Sequence, residues 1–235
     1  MRTKVKKSES NGHTNRIADA LAAVNGSAVS GEHVRVTAPN FRRVEFKIVG
    51  NTPYVQLAFG EKARNVLRES HAAGSTAKKG KKREAKDFDA LFLAAQHVST
   101  DGWPGIPAAS FRHAMIAACT LVDFHKTKAK KAVFIEADGF SRSEGTPLVR
   151  INGTPKHVEH TVRNANGMPD IRVRAMFDPG WTAVVRVNFD ADLFTATDIS
   201  NLLMRAGLQV GVGEGRPDSK NGIGMGWGTF TIEGV

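Results

Sequence analysis

At 235 residues and 41% hydrophobic side chains, the chain can bury the core of one large domain or of a domain carrying an insertion. Its net charge of +10 and pI near 9.9 point to a polyanionic partner, nucleic acid ahead of an anionic membrane. One cysteine, Cys119, excludes an internal disulfide, and no run approaches the roughly 18 apolar residues of a membrane span.

Residues 1–40 are small, polar and charged and read as a mobile arm; the basic start MRTKVKK leads into no apolar signal segment. The expected location is therefore cytoplasmic. RRVEFKIVG then alternates Val44, Phe46 and Ile48 against Glu45, Lys47 and Val49, a half-buried strand. The segment from about 55 to 98 has helical character and carries a basic run, Lys78, Lys79, Lys81, Lys82 and Arg83, ahead of an amphipathic helix with Phe88, Leu91, Phe92 and Ala95 on one face. A Gly/Pro turn precedes a helix starting near Pro107, where proline's missing N–H costs nothing. Cys119 falls within that helix's apolar run and reads as a buried structural thiol.

AVFIEADGF and TPLVRING read as strands, and HVEHTVRNANGMPD as a loop or hairpin. IRVRAMF and TAVVRVNFD are strands separated by DPGW and are expected to form a hairpin. TATDISNLLMRAGLQV is a helix with Thr195 or Thr197 as N-cap. A glycine-rich loop and the strand WGTFTI follow. This order is α+β: an antiparallel sheet with helices on one face, residues 41–235 forming one domain.

Enzymatic signatures fail on spacing. GSTAKKGKK has five residues between its glycines and Lys in place of the Ser/Thr that follows a P-loop lysine, and GVGEG follows a helix where a dinucleotide fingerprint follows a strand. His157 and His160 lie three apart in an extended segment, which sends them to opposite faces, and no cysteine cluster supports a metal. The carboxylates are scattered. No catalytic residue, metal or cofactor is expected.

Nucleic-acid features accumulate instead. Arg172 and Arg174 stand two apart on one strand face. Arg150, Arg163 and Arg186 repeat the pattern of a basic residue among strand hydrophobics, a way to neutralise phosphates without reading sequence. Trp103, Trp181, Trp227 and Phe140 neighbour turn residues, where an aromatic ring can stack on a base or pack in the core.

IPAASFRHAM, followed much later by GIGMGWGTFTI, resembles the RAMP superfamily, RNA-binding backbone subunits of CRISPR effector complexes. Ile106, Pro107, Ser110 and Arg112 match its helix-start motif, with Ala108 and His113 in place of its usual glycines. Gly222, Gly224, Gly226 and Gly228 match its glycine-rich loop. The sequence is also similar to uncharacterised tailed-phage proteins. The RAMP resemblance implies an RRM-like (ferredoxin-like) fold that binds single-stranded RNA along its backbone and stacks head-to-tail into a homo-oligomer, with other effector subunits as further partners. It places Arg216 and Lys220 on phosphates with Arg112 nearby, and makes the hairpin around Arg163 the projecting element. The rivals are a phage-type strand-annealing protein, a structural assembly protein and a nuclease.

Overall fold

The computed structural model describes residues 36–56, 58, 65, 68–69, 86–163, 167–219 and 224–234. Every element below belongs to the compact unit Pro39–Val235. The arm at 1–35, the basic run at 78–83, Lys220 and Gly222 lie outside the described residues.

The main sheet starts with β1 (Phe41–Gly50), whose alternation turns Ile48 into the core, with Val44 and Phe46 packed against it. Strand β9 (Thr182–Asp190) alternates more strictly: Ala183, Val185, Val187 and Phe189 are buried, while Val184, Arg186, Asn188 and Asp190 look the other way. Helix α2 (Ala108–Ala118) buries Phe111, Ala114, Met115 and Ala118, three to four residues apart. Helix α4 (Ala196–Arg205) buries Ile199, Leu202 and Leu203. It opens on Thr195, whose hydroxyl accepts from the Asp198 N–H while the Asp198 carboxylate accepts from the Thr195 N–H. Each large side chain in this cluster contributes about 1.5–3 kcal/mol of transfer free energy.

Strand β10 (Phe230–Ile232) pairs with β1, β1 with β9, and β9 with β4 (Val133–Glu136), all antiparallel. Chain order β1–α2–β4–β9–α4–β10 with spatial order β10-β1-β9-β4 is the βαββαβ ferredoxin-like arrangement, with both helices on the buried face. The expected fold class is the observed one. Between α2 and β4 lie a 3-10 turn (Cys119–Val122) and helix α3 (Lys126–Ala132). Cys119 is buried, its Sγ donating to the Met115 carbonyl, and burial pushes its thiol pKa up. Among the described residues no helix is long and apolar enough to cross a membrane.

Two stretches interrupt the frame. The first, between β1 and α2, holds β2 (Tyr54–Gln56), α1 (Phe88–Ala94) and β3 (Gly105–Pro107). The second, between β4 and β9, holds β5 (Gly139–Phe140), β6 (Pro147–Asn152), β7 (Lys156–Arg163) and β8 (Pro169–Phe177). β6 extends the main sheet by pairing with β9 beyond β4, and it carries β3 and β5. β2, β8 and β7 make a separate three-stranded sheet, the hairpin-like segment around Arg163 forming the β7–β8 pair.

The hairpin expected from IRVRAMF and TAVVRVNFD does not form: β8 and β9 belong to different sheets. The DPGW link carries the chain from one to the other. Gly180 takes φ +92°, and Trp181, 2% exposed, donates its indole N–H to the Thr52 carbonyl at 2.9 Å. That bond ties this crossing to the one between β1 and β2. Trp181 is therefore a core residue and is unavailable to stack on a base.

Candidate nucleic-acid interface

The two segments singled out in the sequence meet. Pro107, Ala109, Ser110 and His113, from the first turns of α2, form one wall of a cleft of about 490 Å³. The opposite wall is the start of the glycine-rich loop, Gly211–Arg216; Tyr54, Gln56 and His97 complete the lining. The loop is pinned to β2 because the Glu214 N–H donates to the Val55 carbonyl at 2.9 Å.

Two glycines explain why this loop cannot carry side chains. A Cβ on Gly213 (φ +84°) would stand 2.5 Å from the Val55 carbonyl oxygen, and one on Gly228 (φ +69°) only 1.7 Å from that of Val212. The expectation that the glycines open the backbone to a ligand or neighbour is corrected at these positions: they let the loop close on its own chain. Gly224 likewise abuts the Arg216 carbonyl, whereas a Cβ on Gly226 would meet nothing within 4 Å.

The electrostatics of the cleft are uneven. Arg216 stands at its edge, half-buried, donating to the Gly213 carbonyl at 3.2 Å. Glu214 spends its charge on Arg174, a residue of β8 that is 4% exposed; Nη2 donates to Oε1 at 2.8 Å and Nε to Oε2. Burial pushes the His97 imidazole pKa down, opposed by the charge of Glu144, so it is neutral at neutral pH. Burial also raises the Tyr54 phenol well above its ordinary value, leaving it un-ionised. Gln56 is 2% exposed; its Oε1 accepts from the His97 backbone N–H at 3.3 Å, and its buried Nε2 has no hydrogen-bond partner among the described residues.

Several expected site residues turn out to serve the fold. Arg112 faces away from the cleft: it donates through Nε to the Val133 carbonyl at 2.8 Å and through Nη2 to that of Lys130, and lies 4.8 Å over the Phe134 ring. It staples α2 to the α3–β4 segment, and His113, at the position where the family motif has glycine, lines the cleft. Arg174 cannot offer its fork to phosphates while Glu214 holds it. Of its predicted partner on the strand, Arg172 is exposed. Arg163 is exposed near the hairpin tip and donates to the Gly167 carbonyl.

The sheet face opposite the helices also departs from a bare basic surface. Arg43 pairs with Glu136 at 3.1 Å, Lys47 with Glu233 at 2.6 Å, and Arg186 with Glu45 at 2.9 Å and with Asp138. Arg150 is exposed on this face beside a hollow of about 290 Å³ that Trp103, Asn152 and Arg186 also line. Phe140 is 56% exposed. Trp227 packs on Gly215 and lies 5.2 Å from His160, whereas Phe92 stacks on His157, so the two histidines do not converge. Among the described residues no three His, Cys, Asp or Glu side chains gather as a metal site.

Gln56, His97 and Tyr54 carry no motif and escape a sequence reading, since they meet only because β2 and the segment before β3 fold onto α2. His113 alone left a trace, as the departure from the family's glycine.

Fold and site together define a basic ferredoxin-like α+β protein with a second small sheet and an open cleft between its first frame helix and its glycine loop. No family model matches the chain, and comparison with curated proteins gives no match. Among solved structures it is similar to the crystal structure of Cmr6 from Pyrococcus furiosus, with 11% identity and a TM-score of 0.37, covering 82% of this chain and 98% of that one.

Proposed function

We propose that this protein binds a single nucleic-acid strand, RNA in preference to DNA, without cleaving it, and associates with further copies of itself along that strand. The observation that carries the reading is the cleft itself. In a chain of net charge +10, the helix start and the glycine loop face each other across an open groove, with Arg216, Ser110 and His113 on its walls. Affinity then comes from phosphates and tolerance of sequence from ring faces. The β7–β8 hairpin, with Met168 66% and Ile171 41% exposed, is the element offered to a neighbouring copy in a head-to-tail, non-closing contact.

The test is fluorescence anisotropy with labelled single strands of RNA and DNA across a salt series, with and without Mg²⁺. Wild type is expected to bind both polymers, RNA tighter, and to leave them intact. Arg216→Ala should weaken binding several-fold and flatten the slope of log K against log salt by roughly 0.7, one single-strand phosphate contact. Unchanged affinity and slope in the folded variant would remove the cleft from the interface, and metal-dependent shortening of the strand would make the protein a nuclease.

A further inference from the structure

Gln56 is the one residue of the cleft whose chemistry is unfinished. It lies at the end of β2, opposite Ala175 of β8, and is 2% exposed, yet among the described residues its amide nitrogen meets no acceptor. The orientation of the amide is fixed by its surroundings: the His97 backbone N–H needs an acceptor and takes Oε1 at 3.3 Å, which leaves the NH₂ as the end without a partner. A buried amide N–H is nearly always hydrogen-bonded, and an exception marks a site that something else completes. Here the exception lines a cleft of about 490 Å³, within the range of small-ligand sites.

The rest of the lining narrows the ligand. Tyr54 and His97 add neutral rings to the lining that holds Gln56, and Arg216 adds a cation. A neutral planar group with a hydrogen-bonding edge suits Gln56, and an anionic backbone attached to it suits Arg216. Resting on the strand-binding function proposed above, we propose that the cleft admits one base of the bound strand and that Gln56 reads its edge as a donor only, favouring bases with a ring carbonyl over adenine. Glutamine pairs with adenine by using both ends of its amide, accepting from N6 and donating to N7. With Oε1 held by His97, that pairing is closed. Uracil, thymine, cytosine and guanine present carbonyl oxygens to the free NH₂; adenine offers it only ring nitrogens and leaves its own N6 amino group at that edge without an acceptor.

The test compares labelled twelve-residue strands of uridine, adenosine and inosine by anisotropy at fixed salt. Inosine differs from adenosine chiefly in carrying a 6-carbonyl for the 6-amino group, so that contrast needs no variant. Wild type is expected to bind the uridine and inosine strands about tenfold tighter than the adenosine strand. Gln56→Met, which keeps the length of the side chain without the donor, should level the three while leaving their salt dependence intact. Gln56→Glu keeps an acceptor for His97 and, as a carboxylate, donates nothing, so the preference for the carbonyl-bearing strands should be lost in it as well. Equal wild-type affinity for adenosine and inosine strands overturns base reading while leaving strand binding standing, as does a preference that survives in Gln56→Met. Failure of wild type to bind any strand overturns both.

Discussion

Removing the carboxylate of Glu214 isolates a buried charge, and the structure gives the size of the penalty. Arg174 is 4% exposed, and its fork is filled by Glu214, with only Nη1 turned to the Val173 carbonyl at 2.9 Å. Breaking a fully buried pair costs about 3–5 kcal/mol because the remaining charge stays unpaired. The Glu214 side chain is itself 39% exposed, so water enters when it is cut back, and the expected cost of Glu214→Ala falls to about 2–3 kcal/mol. For a chain of this size that lowers Tm by roughly 5–10 °C. Arg174→Met should cost much less, about 1 kcal/mol, because Glu214 turns out to solvent and no charge stays buried. Thermal unfolding followed by circular dichroism measures both variants and their double mutant, in which the Glu214→Ala penalty should largely vanish. The reasoning is refuted if Glu214→Ala leaves Tm unchanged, or if Arg174→Met is as damaging as Glu214→Ala.

Gly228→Ala should lower stability by more than 3 kcal/mol, since its Cβ would sit 1.7 Å from a backbone oxygen at a positive φ; a variant melting within a degree or two of wild type would contradict the packing of the loop. Stability should also fall on mild acidification because of His97, whose folded pKa is lowered by burial. The unfolded chain takes up that proton at about pH 6.5, while the folded chain resists until lower pH. The contribution is therefore complete above about 6.5 and is lost as pH falls through the folded value. Tm recorded from pH 7.5 to 5.5 should drop less in His97→Gln than in wild type, and parallel curves would show that His97 does not titrate in this way.

The frame was legible because its signals are local. Val44–Phe46–Ile48 in β1, the alternation of β9 and the Thr195 cap each announce an element within a few residues, and the family motif pointed to the order of the rest. What escaped was pairing at a distance. IRVRAMF and TAVVRVNFD have the look of a hairpin, but Trp181 is drawn to Thr52 and the strands part into two sheets. Charge was equally opaque: nothing beside Arg174 in sequence tells that Glu214 neutralises it, or that Arg112 spends its donors on the carbonyls of Lys130 and Val133. Arg216, expected at the glycine loop, lines the cleft that the loop forms with α2.

The floor of the cleft has a kinetic consequence. Gln56 and Ala175 are register partners, although about half of the protein lies between them in the chain. Closing so long a loop loses much chain entropy and returns only the three register pairs of β2 with β8. Long-range contacts of this kind slow folding. The frame closes a longer loop still, Ile48 of β1 pairing with Ala183 of β9, and once it has done so β2 and β8 leave neighbouring strand ends, so little further chain entropy is lost in pairing them. A newly made chain therefore meets its slow closure once, between β1 and β9, and the cleft residues of β2 come into place on β8 together with the frame.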